Sequence, residues 1–253
     1  MTEEIILKML KDAKGEYVSG QAMAECLGIS RAAIKKRIEA LKKQGYLIDS
    51  VTRKGHRLLT APDILTKAEI ISHFPEEVVK ELDIRCFESL SSTNTELKKL
   101  AIDGAGEFTC VVANEQTGGR GRNGKGFSSP KDTGLYISIL LKPEITAKEA
   151  ASYPALVANA VAKTVNAHLP ESFKEKAEVV PPDDITLLGV KISGILIESA
   201  FETETGKLQY LVCGIGVHCN DEKDSIYSLT GKKVNRALLA ADIITACCGF
   251  SHA

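Results

Sequence analysis

Residues 118–126 read Gly-Gly-Arg-Gly-Arg-Asn-Gly-Lys-Gly, five glycines set among three cations. Glycines let a backbone approach a ligand closely and take positive φ. Arg120, Arg122 and Lys125 can clamp phosphate or carboxylate oxygens, Arg in bidentate fashion. A solvated surface turn has the same composition, but the flanks favour a working loop. Cys110 to Glu115 reads as a strand before it and Leu135–Leu141 as another after it. A long loop between two strands of a compact domain is uncommon unless it has a function. It is not a phosphate-binding P-loop, because Gly-x4-Gly-Lys-Ser/Thr is absent. A fourth cation, Lys191, sits on an apolar strand. Its charge is either directed at a partner or snorkels to water. Asp183 and Asp184 are adjacent carboxylates, a pairing that suits Mg²⁺.

The elements that must position these groups follow from patterning. Ala61-Pro62-Asp63 breaks the chain and predicts a boundary, with one domain over residues 1–61 and another over 62–253. In the second, Thr66 caps a short helix to His73, Ile84 to Ser89 is a strand, and Thr93 to Ile102 is helical. Ala147 to His168 is a helix interrupted at Tyr153-Pro154. Glu178 to Val180, Lys191 to Ser199 and Gln209 to Val217 read as strands, and Asn235 to Cys248 as a last helix. Mixed strands with helices grouped on one side predict an α+β domain.

The first domain predicts a winged helix-turn-helix. Glu4 to Lys11 is a short buried helix, and Ser19 caps a second helix that ends at Gly28. Ser30 caps a third, Arg31 to Gln44, in which Ile34, Ile38 and Leu41 form the buried stripe. Leu47 to Val51 and His56 to Leu59 form a hairpin around a basic wing. From Arg31 to Arg57 there are nine Lys/Arg and two Asp/Glu, the footprint of a phosphate-binding face. Ser30, Arg31, Lys35 and Lys36 start the third helix, where such folds reach base edges. Arg53 and Lys54 on the wing suit phosphates or the minor groove. A protein-docking winged helix has the same pattern.

Charge distribution agrees with this division. Residues 1–60 hold 12 Lys/Arg against 7 Asp/Glu, a net of +5, so the chain total of −1 leaves −6 for the rest. That implies a polyanionic partner for the first domain only. No apolar stretch approaches the roughly 18 residues of a membrane helix, and no signal core opens the chain. A soluble, cytoplasmic protein without membrane attachment is expected. Seven Cys without a Cys-x-x-Cys pair predict reduced thiols and no structural metal.

The chain resembles the biotin protein ligases, in particular the bifunctional ligases that are also biotin operon repressors. The resemblance rests on the basic loop with Glu115-Gln116 before it, on Ser91-Ser-Thr-Asn94, on Lys191-Ile-Ser-Gly194-Ile-Leu-Ile-Glu198, and on Gly214-Ile-Gly216-Val. Ser30 to Ile34 is similar to the repressor helix of the same family. The resemblance implies a class II synthetase-like ligase domain after the winged helix, with the family's small C-terminal SH3-like domain absent from a chain ending at Ala253. It implies ATP and Mg²⁺, with biotinyl-5′-AMP formed from biotin and passed to a lysine of a biotin carboxyl carrier protein. It further implies operator DNA as a partner and a homodimer when liganded.

By the same resemblance, Arg122 and Lys191 are the catalytic residues. Ser92, Thr93, Asn94, Gln116, Gly119, Arg120, Gly121, Arg122, Lys191, Gly194, Gly214 and Gly216 bind biotin or the adenylate, and Asp184 is the Mg²⁺ residue. Ser92 and Thr93 also suit simple helix capping. Four features depart from the family: Val180-Pro-Pro-Asp-Asp-Ile185 replaces Lys-Trp-Pro-Asn-Asp-Ile, His218 replaces an Asn, Asn123 stands where a further Arg is common, and Phe127 stands where a Trp is common. They keep a second reading open, a biotin-sensing regulator without ligase activity. A lipoyl-type acyltransferase is a third.

Overall fold

The computed structural model describes residues 2–202 and 205–251. Close packing divides the chain into two units, Met1–Pro75 and Glu76–Ala253. In the first, three helices, α1 (Thr2–Asp12), α2 (Gly20–Leu27) and α3 (Arg31–Lys43), precede a hairpin of β1 (Leu47–Val51) and β2 (Gly55–Thr60). A short α4 (Lys67–Ile71) follows. The Ser19 and Ser30 hydroxyls accept from the first free amides of α2 and α3, and Gly28 closes α2 in the left-handed conformation. Ile6, Leu7, Leu10, Met23, Ile34, Ile38 and Leu41 form one buried core. Gly55 has φ +114°, and a Cβ there would overlap the Val18 carbonyl. Only glycine lets the wing sit against that segment, where Val18 and His56 exchange backbone hydrogen bonds of 2.8 and 2.9 Å.

The packing boundary lies beyond the expected Ala61, because α4 belongs with the winged helix. Lys11 Nζ donates to Glu69 Oε1 at 2.5 Å and to Ser72 Oγ at 2.7 Å. Tyr46 OH donates to the other Glu69 oxygen at 2.5 Å. Glu69 is 1% exposed. Burial alone pushes its carboxyl up, but the nearby His73 ring and the hydrogen bonds from Lys11 and Tyr46 outweigh that and hold it below its ordinary value.

The second unit is built on one mixed sheet. Its strands are β3 (Asp83–Phe87), β4 (Thr109–Ala113), β5 (Leu135–Leu141), β6 (Glu178–Val180), β7 (Asp184–Leu187), β8 (Val190–Phe201) and β9 (Leu208–Val217). They lie in the order β3-β4-β5-β9-β8-β7-β6. Only β3 and β4 run parallel. The helices are α5 (Glu76–Val79), α6 (Thr93–Ile102), α7 (Ala147–Ala150), α8 (Tyr153–His168), α9 (Ile226–Thr230) and α10 (Arg236–Cys248).

The α+β architecture is as expected, but the helices are not grouped on one side. Leu97 of α6 packs on Val111, Leu140 and Val212. Cys247 of α10 lies beside Cys110 and Cys213, which point to the opposite face by strand alternation. Every residue of β5 is buried, as a strand covered on both faces requires. All seven cysteines are free, and four are buried. Among the described residues no helix is long and apolar enough to cross a membrane.

The buried Glu69 generates a prediction. Glu69→Gln leaves the Lys11 ammonium in a desolvated place without its counter-charge, and costs the first unit about 2–3 kcal/mol in urea unfolding at neutral pH. A depressed carboxyl stabilises above its unfolded pKa and loses that contribution as pH falls through the folded one. The gap between wild type and variant therefore narrows on acidification below about pH 4.5.

Candidate functional site

Strand register sets the floor of the site. Tyr136, Gly216, Gly194 and Asp184 are successive cross-strand neighbours on β5, β9, β8 and β7. Two residues along, Ser138, Gly214 and Leu196 form the next row on the same face. Three glycines thus remove the side chains from the middle of an otherwise covered sheet, and neighbours occupy the space. A Cβ at Gly214 would overlap the Asn94 amide, and one at Gly216 would overlap the Phe127 ring.

Asn94 reaches the floor because it sits in the first turn of α6, which Ser92 caps by accepting from the Thr95 amide. The Asn94 amide donates to Leu196 O at 3.2 Å and Glu198 Oε2 at 2.9 Å, and its oxygen accepts from Ser138 Oγ at 2.6 Å. Gln116 Oε1 accepts from the Thr93 amide at 2.9 Å and the Thr93 hydroxyl at 3.1 Å, while Gln116 Nε2 donates to Ser129 Oγ at 2.9 Å. Lys98 closes the far end on Glu198 at 2.6 Å. The result is a connected, mostly neutral hydrogen-bonding wall, oriented before any ligand arrives.

The basic loop folds back on itself over this floor. Gly121 N donates to Lys125 O at 2.7 Å and Phe127 N to Gly119 O at 2.9 Å. Asn123 and Gly124 take positive φ at the tip. The start of the loop is strapped down by Thr117 N to Leu90 O at 2.8 Å and Gly118 N to Ser91 O at 2.9 Å. Phe127 stacks on His218 with ring centroids 4.9 Å apart and planes at 17°. Burial holds the His218 imidazole below its ordinary value, against a smaller opposing pull from Asp221. Burial in the stack therefore favours the neutral ring.

Two cations of the site, Arg122 and Lys191, each face a carboxylate. Arg122 Nε is 2.9 Å from Asp183 Oδ2, and Lys191 Nζ is 2.7 Å from Asp184 Oδ1. Asp183 is 2% exposed, whereas Arg122 and Lys191 keep 45% and 48% of their side chains open. Burial raises the Asp183 carboxyl, with Arg122 pulling it back.

Ser92, Thr93, Asn94, Gln116, Arg120, Gly121, Arg122, Asp184, Lys191, Gly194, Gly214 and Gly216, all singled out from the sequence, line one cavity of about 200 Å³. Gly119 is outside that lining, and a Cβ there would fall 2.5 Å from Phe127 O. Sequence reasoning did not place Ser138, Glu198 or the Asp183–Arg122 pair. Ser138 left a signal, since it is the lone polar side chain within Leu135–Leu141 apart from the Tyr136 hydroxyl. Among the described residues no group of three or more His, Cys, Asp and Glu could hold a metal ion by itself.

In the first unit, Arg31, Lys35, Arg53 and Lys54 line one groove with Gln21 and His56. Ser30 spends its hydroxyl on the Ala33 amide, and Lys36 is exposed outside the groove lining. Arg57 is held by Asp49 at 3.0 Å and stacks over Tyr17 at 4.7 Å, so it supports the wing.

With this geometry in place, comparison with known proteins is specific. Residues 86–218 match the biotin/lipoate A/B protein ligase family, and residues 2–57 match a helix-turn-helix domain. The chain belongs to the biotin/lipoate A/B protein ligase family, with a helix-turn-helix unit ahead of the ligase fold. It is 32% identical over 243 residues to the bifunctional ligase/repressor BirA of Bacillus spizizenii, covering 92% of this chain and 73% of that one. The Salmonella typhimurium protein of the same name is 31% identical over 244 residues, covering 92% and 72%. Among solved structures, the Aquifex aeolicus biotin protein ligase in complex with biotin and ATP superposes with a TM-score of 0.52. It is 25% identical, over 67% of this chain and 72% of that one.

The glycine floor is testable by stability alone. Gly214→Ala forces the Asn94 amide off its three partners and costs about 1–3 kcal/mol in denaturant unfolding. Gly106→Ala, whose Cβ meets nothing within 4 Å, stays within about 0.5 kcal/mol of wild type. Combining Gly214→Ala with Asn94→Ala relieves the overlap, so the double variant is more stable than the sum of the singles.

Proposed function

We propose that this chain is an ATP-dependent biotin–protein ligase that doubles as a biotin-responsive DNA-binding repressor. The observation that carries the reading is the cavity itself. A neutral hydrogen-bonding wall and a side-chain-free floor meet the open cations Arg120, Arg122 and Lys191, in a chain belonging to this ligase family. Ser92, Thr93, Asn94 and Gln116 supply the neutral donors and acceptors that a ureido ring needs. Gly194, Gly214 and Gly216 leave room for the ring and tail of biotin, and Gly119 and Gly121 let the loop backbone turn close to the adenylate.

The reaction joins two anions. A biotin carboxylate oxygen attacks the α-phosphorus of ATP, an acyl–phosphate bond forms, and the bond to pyrophosphate breaks. Arg120, Arg122 and Lys191 offset the negative charge that grows on the phosphoryl oxygens, where fixed cations are worth most. The carrier lysine amine then attacks the acyl carbon, AMP leaves, and the amine proton passes to solvent. Mg²⁺ accompanies ATP in this reading. Asp184, beside the buried and unpartnered Oδ1 of Asp183, fits an ion that takes one or two carboxylates together with substrate phosphates. Held by Asp184, such an ion would supply positive charge for the phosphate oxygens.

The acceptor is a biotin carboxyl carrier protein, and the liganded protein acts as a cytoplasmic homodimer on operator DNA, consistent with the two-half-site habit of helix-turn-helix proteins. Two experiments test the two halves. Isothermal titration of biotin with and without MgATP gives much stronger binding when both are present, and Lys191→Ala slows adenylate formation by about 10²–10³-fold. Biotin binding indifferent to MgATP contradicts ligase chemistry. For the first unit, Arg53→Ala and Lys54→Ala each weaken binding to duplex DNA and lower the slope of log K against log salt by about 0.9. Unchanged slopes for both variants remove the wing from the interface.

A further inference from the structure

The Asp183–Arg122 contact is unusual for a site that must receive anions. Asp183 is 2% exposed at the side chain, sits in the turn between β6 and β7, and reaches the basic loop 61 residues earlier in the chain. One carboxylate oxygen holds Arg122 Nε at 2.9 Å. The other is buried with no hydrogen-bond partner. A buried carboxylate so thinly compensated is costly to strip of the one cation it directly bonds, with Lys191 acting on it only from further off. The same contact is the ion pair that ties the tip of the loop to the sheet, while Phe127 ties its base over Gly216. Asp184 occupies Lys191 in the same manner at 2.7 Å, but both of those groups are partly exposed and water screens them.

We propose that Asp183 is a specificity-determining internal anion. It occupies Arg122 in the empty protein, latches the loop tip, and must be displaced by the phosphoryl group of the adenylate. A carboxylate-only ligand such as free biotin then gains little from Arg122, because it offers the guanidinium no more than Asp183 already does. A phosphodiester flanked by two further recognised groups displaces Asp183 with binding energy gathered elsewhere in the cavity. The latch thus favours the complete adenylate over its parts. This rests on the ligase reading above for the identity of the ligand, but not for the existence of the latch.

The test uses the full chain and the isosteric Asp183→Asn. Limited trypsinolysis without ligand, with cleavage after Arg120 and Lys125 followed by mass spectrometry, reads the latch alone. The variant is expected to be cut at least about threefold faster. Titration with a hydrolysis-resistant biotinyl-adenylate analogue in EDTA reads the competition. The variant is expected to bind it about tenfold tighter, with biotin alone changed less than about twofold. Wild-type cleavage rates in Asp183→Asn overturn the latch. Weaker binding of the analogue also overturns the proposal, because Asp183 then positions Arg122 for the ligand instead of competing with it. If Asp183→Asn does not fold, Arg122→Gln breaks the same pair from the other side, and cleavage after Lys125 decides. If neither wild type nor variant binds the analogue, the ligase reading fails while the cleavage result still stands or falls by itself.

Discussion

The second unit depends on the absence of side chains at three places in a covered sheet. Gly194, Gly214 and Gly216 lie on the one face of β8 and β9 that also meets α6 and the basic loop. Any side chain there would close the gap, since buried space is normally filled. The gap lets the first turn of α6 approach closely enough for Asn94 to bond the edge of Leu196 and the Glu198 carboxylate. It also seats Phe127, which carries the end of the loop down to the sheet. The opposite face, packed by α8 and α10, supplies the stability that a hollowed face cannot. Both consequences follow from strand register, because a one-residue slip in β9 would turn the glycines to the wrong side.

Electrostatics then gives the floor a direction. The wall around Asn94, Thr93 and Gln116 is neutral apart from the compensated Lys98–Glu198 pair, whereas Arg120, Arg122 and Lys191 make another part of the same lining cationic. An elongated ligand with a neutral polar head and an anionic tail matches that gradient. Each paired cation remains about half open, so water still screens it, and exclusion of that water by a ligand would strengthen every charge contact left inside. The first unit uses charge differently. Its groove cations stand on an exposed face, while Glu69 and Lys11 spend theirs internally to bind α4 to the winged helix.

Much of this was legible where local chemistry decides structure. Ser19, Ser30 and Thr66 cap the helices they were expected to cap, and Leu135–Leu141 is a strand over its whole expected length. Residues of the short motifs that line the cavity carry a local signal for the same reason. What stayed hidden depends on distant partners. Nothing near Glu69 signals that Lys11 and Tyr46 will bury it, so the packing of α4 against the winged helix leaves no local mark. The strand β7 is short, follows two prolines and carries Asp184 and Thr186, so its pattern was too brief to read. Helices on both faces were missed because α10 is buried on nearly every side, which leaves no amphipathic stripe to point at one layer. The Arg122–Asp183 pair joins a loop to a turn by tertiary contact alone.

The central claim is that this floor and these cations join biotin to AMP. The direct measurement is a single turnover with protein, biotin and MgATP in equal amounts, quenched in acid and assayed for biotinyl-adenylate and pyrophosphate by mass spectrometry. The account predicts the two products in equal amounts, approaching one per protein chain. Intact ATP beside protein-bound biotin would contradict it.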